Sequence, residues 1–501
     1  MEAIQNLLMG FTVALTPQNI MFAFLGSVLG TLIGVLPGIG PVAGVAMLIP
    51  LTFKMTPTGA IIMLTALFYG TQYGGTITSV LLNVPGEAAS AITCIEGYEM
   101  AKQGRGGAAL AIAAIGSFIG GTFATFALVL AAGPLTRVAL EFGPVEFFAL
   151  IMLGLSLLMG LAGKSMVKAL MMGIFGLILA MIGMDPVRGM PRFTFGRMEL
   201  MDGIGFVPVI MGLFGLAEIL VNAEKQFAQV FAAKMSSLIP TKKDIRDSVG
   251  PILRGSVIGT LLGLVPGMTG SASSFLSYIA ERKVSKHPER FGTGLIEGVA
   301  GPETANNAHA NGALIPLFTL GIPASPTVAV IMGAFMMHGL IPGPFLFKEH
   351  PLVAWGVIAS FYVGNIILLI LNLPLVGIWV KILKIPYGLL FGIILAFMVV
   401  GAYSISNSAF DVLVMTVFGL VGYFLRKLDF PLAPVVLTLI LGPLMERSLR
   451  RSLEMSQGDL RIFLESPIAI VLLGLAALFL IVPAFKFFRR RKGALSGDEG
   501  V

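Results

Sequence analysis

The sequence predicts an all-α polytopic membrane protein with two homologous, inverted repeats and about 10–14 membrane segments. Three observations support this fold class: an apolar composition with few charges, a series of apolar stretches with short polar connections, and a 13-residue string that recurs in the second half of the chain. Several apolar stretches are short or interrupted by Gly and Pro. We therefore expect Pro-Gly-broken or re-entrant helices among them.

The composition excludes a water-soluble fold. Hydrophobic residues make up 56 % of the 501 residues and charged residues 12 %, and the mean hydropathy is +0.93. Soluble proteins are about 45–50 % apolar and about 25 % charged, so this chain has too little polar surface to cover a domain in water. Its 62 glycines and 29 prolines interrupt apolar runs, as is typical of packed membrane helices.

The sequence also argues against an enzyme. Cys94 is the only cysteine, and the four histidines lack the spacing of a metal site. No paired acids or nucleophile–base pair stand at helical spacing within an apolar stretch. We therefore expect no catalytic residues, no metal and no cofactor other than a coupling ion. The net charge of +7 lies in connections and at the C-terminus, which favours contact with membrane lipid over nucleic acid.

The basic residues predict the organisation of the chain in the membrane. We expect a first membrane repeat over 1–221, a basic connecting loop over 222–254, a second membrane repeat with extra C-terminal spans over 255–485, and a basic tail over 486–501. The positive-inside rule places the loop and the tail in the cytoplasm. No Lys or Arg precedes Lys54, which favours an N-terminus on the outer side.

The two halves of the chain are similar to each other. Residues 26–38 read GSVLGTLIGVLPG and residues 255–267 read GSVIGTLLGLVPG, with nine of thirteen positions identical. Further on, residues 74–85 and 312–323 keep a Gly, an Ile, a Leu and a Pro in register. These matches predict an internal duplication. The inverted orientation is expected because the second string follows a basic segment, whereas the first follows a segment without Lys or Arg.

Each repeated string ends in a Pro-Gly pair, Pro37-Gly38 or Pro266-Gly267. Proline removes a backbone donor and glycine lets the chain turn. The freed backbone groups must be buried in protein or line a wet cavity. Matched breaks in two halves are typical of the binding sites of secondary transporters, while two ordinary proline kinks are the simpler alternative.

The second break predicts a helical hairpin. Arg254 precedes Pro266 by twelve residues, which is about 18 Å of helix. That length is well short of a bilayer core of about 30 Å, and basic residues follow again from Arg282. We therefore expect a re-entrant hairpin over 254–281, with a broken full span as the alternative.

Polar residues near both breaks predict a carboxylate-binding site between the halves. Hydroxyls, amides and free backbone N–H groups can bind a carboxylate without a fixed counter-charge, so release remains possible. The candidate substrate-binding residues of the first half are Pro37, Gly38, Gly74, Thr76, Thr78 and Asn83. Those of the second half are Pro266, Gly267, Thr269, Ser271, Ser273, Ser274, Asn306, Asn307 and Asn311.

Glu303 and Glu87 are the candidate ion-coupling residues, with Na⁺ or H⁺ as the ion. Each lies in a polar stretch with several glycines, next to an apolar run. A carboxylate at membrane depth is costly and is expected to act as a cation ligand or proton site. The alternatives are a solvated loop carboxylate that caps the next helix for Glu303, and exposure at the membrane interface for Glu87.

Several strings of this chain resemble the large membrane subunit of tripartite tricarboxylate transporters. They are LPGIGP (36–41), GLVPGMTG (263–270), SKHPERFG (285–292), EGVAGPETANN (297–307) and LGIPASPT (320–327). The resemblance implies a bacterial inner-membrane permease that is energised by an ion gradient. It also implies two partners, a small four-span membrane subunit and a periplasmic solute-binding protein that delivers citrate or another carboxylate.

The residues by themselves leave other functions open. An ion channel could use the broken helices as a filter, and it would show non-saturating flux without a coupling ion. A carboxylate transporter could also work alone, without partner subunits.

Overall fold

The computed structural model describes residues 2–36, 38–161, 165–185, 189–224, 239–382 and 387–495. Most of them are helical. The strands within these ranges form one short antiparallel pair, Gly183–Met184 (β1) with Pro191–Arg192 (β2). The predicted all-α polytopic fold is confirmed.

The helices are numbered in chain order. They are α1 Glu2–Ala14, α2 Pro17–Val35, α3 Gly40–Thr52, α4 Pro57–Leu82, α5 Thr93–Lys102, α6 Gly106–Leu140, α7 Pro144–Leu161, α8 Met166–Ala180, α9 Phe206–Ile210, α10 Ala217–Ala223, α11 Lys242–Gly263, α12 Gly270–Val284, α13 Glu297–Gly312, α14 Leu314–Leu320, α15 Pro326–Met337, α16 Pro344–Glu349, α17 Pro351–Asn372, α18 Val376–Ile382, α19 Tyr387–Ser406, α20 Ala409–Lys427, α21 Ala433–Met455, α22 Ile462–Glu465 and α23 Pro467–Leu495. A π-helical segment, Met211–Leu216, joins α9 to α10.

Five helical segments among the described residues are long and apolar enough to cross a membrane: Pro17–Val35, Gly106–Leu140, Phe206–Ala223, Pro351–Asn372 and Ala409–Lys427. Shorter apolar helices of 10–17 residues accompany them. The mixture of full-length and short helices agrees with the expectation that some segments are not simple spans.

Local sequence explains where several helices begin. Thr16, Thr56 and Ser325 each accept a hydrogen bond from a backbone N–H three residues later, and each is followed by proline at the first helical position. This pairing satisfies one of the free donors of the first turn, and the next position has no donor to satisfy. The Ser/Thr-Pro pairs thus fix the starts of α2, α4 and α15.

The chain forms two compact units, residues 1–139 with 207–423 and residues 140–206 with 424–501. All candidate site residues lie in the first unit. The units do not follow the division at 221 and 255 that the sequence suggested, and the repeat boundaries stay a prediction.

In the second unit, α7 packs on α8, and both pack on α21. Ion pairs tie the strand pair to α21: Arg192 contacts Glu446 at 2.8 Å, and Arg450 contacts Asp185 at 3.0 Å. These contacts hold the strand pair against the C-terminal half of α21.

In the first unit, glycines at the same spacing pack two helix pairs. A Cβ on these glycines would lie 2.2–2.7 Å from carbonyl oxygens of the facing helix, so only glycine allows the approach. In the pair of α2 and α4, Gly26, Gly30 and Gly34 face Met63, Leu67 and Thr71. In the pair of α11 and α13, Gly255, Gly259 and Gly263 face Gly301, Ala305 and His309. The contacts advance in the same direction, so the helices of each pair run parallel.

Because the two helices of each pair run parallel, the helix that connects them in the chain must run back in the opposite direction. This connecting helix is α3 in the first pair and α12 in the second. In the second half, Glu281 near the end of α12 accepts two hydrogen bonds from Arg254 of α11, at 2.9 and 2.5 Å. The two ends of the segment 254–281 therefore lie together. The segment is a helical hairpin, as expected, and the alternative of a broken full span is wrong.

Helices α4 and α13 run antiparallel where they meet. Thr76 contacts Glu303, and Gln72, one turn earlier, lies against Asn306. The two parallel pairs are thus oriented oppositely within the first unit. This is the arrangement that the predicted inverted repeat requires.

Two sequence-based expectations about loops are wrong. The solvated loop that was the alternative for Glu303 is not present: residues 297–312 form the buried helix α13, in which Glu303 is 1 % exposed. Residues 242–254, assigned to the basic loop 222–254, form the first turns of α11. Both segments are polar, and their helical state depends on packing that local composition does not reveal.

Candidate functional site

The centre of the first unit holds a buried polar cluster, which we call the central cluster, where α4 meets α13. Glu303 on α13 accepts hydrogen bonds from Thr76 Oγ1 of α4 at 2.5 Å and from Thr93 Oγ1 of α5. Both Thr76 and Glu303 are less than 5 % exposed. The carboxylate that the sequence suggested for ion coupling is therefore buried and bonded by hydroxyls.

The second carboxylate of the cluster, Glu87, follows the end of α4. Its Oε1 accepts a bond from Asn306 Nδ2 at 2.8 Å. The Gln72 amide, oriented so that its nitrogen donates, bonds Glu87 Oε1 at 2.9 Å and Asn306 Oδ1 at 2.8 Å. Glu87 is 8 % exposed, so the alternative of interfacial exposure is wrong.

Amides extend the cluster along α13. Asn307 Nδ2 donates to Ser117 Oγ of α6 at 2.7 Å, and Asn311 Nδ2 donates to the Asn307 carbonyl at 3.2 Å. The side-chain oxygens of Asn307 and Asn311 are buried and lack a hydrogen-bond donor among the described residues. Such oxygens are costly when unpaired, and they suit a cation or a donor group of a ligand.

The tip of the α11–α12 hairpin reaches this cluster. Thr269 caps α12, and a Cβ on Gly270 would lie 2.9 Å from Asn306 Oδ1. One turn on, Ser273 Oγ lies 2.9 Å from His309 Nδ1, and Ser274 donates to the Pro302 carbonyl. The N-terminus of α12, with its free N–H groups, is thus placed beside Asn306, the residue that donates to Glu87.

Both Pro-Gly breaks contain glycine in the left-handed region. Gly38 has φ +94° and its carbonyl accepts a bond from Asn222 Nδ2 at 2.8 Å. Gly267 has φ +90° and its N–H donates to the Ala324 carbonyl at 2.9 Å. Pro266 is half-buried beside Gly267, while Pro37 lies outside the described residues.

Four other candidates have structural roles. Gly74 packs against the Thr31 carbonyl of α2, and Thr78 donates to the Gly75 carbonyl. Asn83 is exposed and ends α4 with φ +57°. Ser271 is half-buried in the first turn of α12. The structure joins none of these four to Glu87 or Glu303 by a hydrogen bond.

The sequence-based list omitted residues that complete the cluster, namely Gln72, Thr93, Ser117 and Asn365. Asn365 of α17 is buried and lies near Tyr73, whose hydroxyl is 3.5 Å from Asn365 Oδ1. Ser117 and Asn365 are isolated polar residues within apolar helices, a signal that marks functional positions in membrane proteins. Thr93 had no such signal, because the chain turns polar within three residues of it.

The charges of the central cluster define its chemistry. Among the described residues, no Lys or Arg contacts Glu87 or Glu303, whose partners are hydroxyls, amides and backbone N–H groups. No group of three or more His, Cys, Asp or Glu residues in the described ranges could hold a metal ion. Two buried carboxylates without cationic partners suit a monovalent cation or a proton.

Matched helix breaks and buried carboxylates within an all-α polytopic fold are features of membrane transport proteins. The sequence pattern of the Tripartite tricarboxylate transporter TctA family matches residues 20–437. The chain belongs to this family, which is a family of transporter large subunits and not of enzymes.

Two relatives from Agrobacterium vitis are similar to this chain. One, the "Uncharacterized 52.8 kDa protein in TAR-I ttuC' 3'region", is 48 % identical over 500 residues, which is 100 % of both chains. The other, the "Uncharacterized protein in TAR-II ttuC' 3'region", is 48 % identical over 234 residues, which is 47 % of this chain and 97 % of the relative. No solved structure matches the chain.

Proposed function

We propose that this protein is the permease subunit of a secondary carboxylate uptake system driven by an ion gradient. It acts as a symporter for tricarboxylates or other carboxylates such as citrate, in the bacterial inner membrane and with a cytoplasmic C-terminus. It works with a small four-span membrane subunit and a periplasmic solute-binding protein. Membership of the family supports the substrate class and the partners.

One observation carries the proposed ion coupling: Glu87 and Glu303 are buried together, and neither has a cationic partner among the described residues. At about 4 Å and an effective dielectric constant of about 20, a negative charge repels a second one by about 4 kcal/mol. An anionic substrate therefore binds beside these carboxylates only after Na⁺ or H⁺ has neutralised them. Ion and substrate favour each other's binding, and this reciprocal coupling makes the transport ion-driven.

Polar groups at the tip of the α11–α12 hairpin support a position for the substrate-binding site. The α12 N-terminus lies beside Asn306, and the hydroxyl of Ser273 lies one turn further on, beside His309. Free N–H groups and hydroxyls bind carboxylates without permanent charge. We place the substrate between this tip and the central cluster, where an ion on Glu87 would be close to it. Alternating access around this site completes the cycle.

The test is uptake of labelled carboxylates, starting with citrate, in cells that carry the two partner subunits with and without this chain. Saturable uptake that needs this chain and stops when the ion gradients collapse supports the proposal. Flux that does not saturate and ignores the gradient favours an ion channel. Uptake without the partner subunits favours a stand-alone transporter, and no uptake of any carboxylate contradicts the substrate class.

A further inference from the structure

A cavity of about 800 Å³ lies away from the central cluster, at the base of the α11–α12 hairpin. Its volume is within the range of small-molecule sites, about 300–1,000 Å³. The walls come from the first turns of α11, the end of α12, the connection 285–296, the start of α13 and the connection between α5 and α6. The cationic residues that line it are Arg105, Lys243, Arg246, Arg254, Lys286 and Arg290, and the acidic ones are Asp244, Asp247, Glu281 and Glu297.

Two of the four acids are already paired with two of the cations. Asp244 contacts Arg105 at 2.5 Å and caps α11 through Thr241. Glu281 forms the two bonds to Arg254 that close the hairpin. These acids do not offset the charge of the other cations.

Four exposed cations remain on the cavity wall, and of the acids that line the cavity, Asp247 and Glu297 are left to balance their charge. None of the four forms an ion pair within the part of the chain that the structure describes. Like charges around one cavity produce a positive potential that concentrates anions there. The four are Lys243, Arg246, Lys286 and Arg290.

The hairpin connects the cavity to the central cluster. Glu281 at the cavity follows Thr269 at the hairpin tip by twelve residues, about 18 Å of helix. Between them, Ser273 and Ser277 lie one turn apart on the face of α12 that packs on α13. Ser277 Oγ is buried without a hydrogen-bond partner in the described ranges. A polar stripe thus runs from the cluster to the cavity.

We propose that this cavity is an inner vestibule that binds a soluble polycarboxylate as it leaves the central cluster. This inference rests on the proposed function. The positive-inside rule places the basic wall in the cytoplasm, where an imported anion would emerge. A lipid headgroup is less suited, because the apolar lining is limited to scattered residues and offers no groove for acyl chains. These residues are Pro251, Val284, Leu295 and Ile296.

The experiment measures binding of citrate and of inorganic phosphate to the purified chain by calorimetry, at low and high salt. The double variant Lys243→Gln/Arg290→Gln should weaken citrate binding about tenfold and reduce its salt dependence, since two charges leave the wall. The matched control is Lys54→Gln/Lys348→Gln, which removes two exposed charges outside the cavity. It should leave binding unchanged.

Equal binding by the wild type and the cavity variant overturns the proposal, as does an equal loss in the control. If anionic vesicles of phosphatidylglycerol stabilise the protein through Lys243 and Arg290 and citrate does not, the cavity is a lipid site instead.

The variant Glu303→Gln separates the vestibule proposal from the proposed function. If Glu303→Gln abolishes uptake while citrate still binds with the affinity that depends on Lys243 and Arg290, both the proposed function and the vestibule are supported. If wild-type cells take up no carboxylate, the proposed function fails; if uptake is normal but the cavity variant binds normally, only the vestibule fails.

Discussion

At the scale of single residues, the carboxylates of the central cluster are distinguished by their hydrogen-bond donors, which are hydroxyls and amides. Glu303 is held by two threonine hydroxyls that come from different helices, Thr76 and Thr93. Each hydroxyl donates to the carboxylate and keeps its lone pairs for another donor or a cation. Such bonds stabilise a charged carboxylate without neutralising it, as the proposed ion coupling requires of Glu303.

Glu303→Gln tests this view. Glutamine keeps the shape but removes the charge, so uptake should fall at least about tenfold, which corresponds to about 1.4 kcal/mol, and lose its dependence on the ion gradient. Initial uptake rates at several ion concentrations measure both effects. Glu99→Gln is the control, because Glu99 forms an exposed pair with Lys102 and such pairs contribute little. Gradient-dependent uptake by Glu303→Gln would remove this residue from ion coupling.

At the scale of elements, close helix packing depends on glycine. The Cβ of an alanine at position 259 would lie 2.2 Å from the Ala305 carbonyl oxygen. We expect Gly259→Ala to push α11 from α13 and to cost about 1–3 kcal/mol, seen as a lower Tm in detergent. Gly392→Ala in α19 is the control, since no atom lies within 4 Å of its added Cβ. There alanine should keep or raise the Tm by its better helix propensity, and equal Tm changes would contradict the packing role.

Helix α5 connects the cluster to the segment that precedes α13. Thr93 bonds Glu303, while Glu96 on the next turn is fully buried. The Glu96 carboxylate accepts bonds from Tyr278 and from the N–H groups of Gly294 and Leu295, all at 2.8–2.9 Å, and from the Gly292 N–H. One short helix thus holds both the ion-coupling candidate and the 292–295 segment.

Glu96→Gln should loosen this segment. The glutamine amide has one acceptor oxygen where the carboxylate has two, so at least one backbone N–H of the segment loses its acceptor. A hydrogen bond to a charged group contributes about 1.5–3 kcal/mol. Amide hydrogen exchange over 292–295 should therefore speed up about tenfold or more. The half-exposed Glu99 on the same helix supplies the control, Glu99→Gln, which should not alter exchange. Unchanged exchange in Glu96→Gln would show that the segment is held by its other contacts.

At the scale of the whole molecule, the opposite orientation of the two helix pairs predicts which ends face each side of the membrane. Because α2 and α4 run parallel, α3 must turn back on α2, so α2 and α3 form a first hairpin that corresponds to α11 and α12. Lys54 follows α3 of this first hairpin, and Lys286 follows α12 of the second. Because α4 and α13 run antiparallel, the open ends of the two hairpins should lie on opposite sides. The basic side is expected to be cytoplasmic.

Cysteine labelling measures this topology directly. Since Cys94 is the only cysteine, Cys94→Ser gives a background without thiols. In intact cells, an impermeant reagent should label Lys54→Cys but not Lys286→Cys, and both should react after permeabilisation. Uptake by each variant controls for correct folding. Labelling of both positions from the same side would contradict the inverted arrangement.

The sequence by itself determined the membrane fold class, the positions of the two breaks and most of the polar residues that form the cluster. These follow from composition, from Pro-Gly pairs and from polar residues next to apolar runs, all of which are local properties. Gly38 and Gly267 have the positive φ that a turn after proline suggested.

Only the tertiary structure decided that 297–312 is a helix and which groups bond its carboxylate. Gly, Asn and His are poor helix formers, and the segment has the composition of a loop. Buried among apolar helices, however, its backbone groups must bond to each other, which favours the helix. Thr76 and Glu303 are 227 residues apart in the chain, and no periodicity or spacing within a segment can predict a hydrogen bond that arises only when α4 and α13 cross.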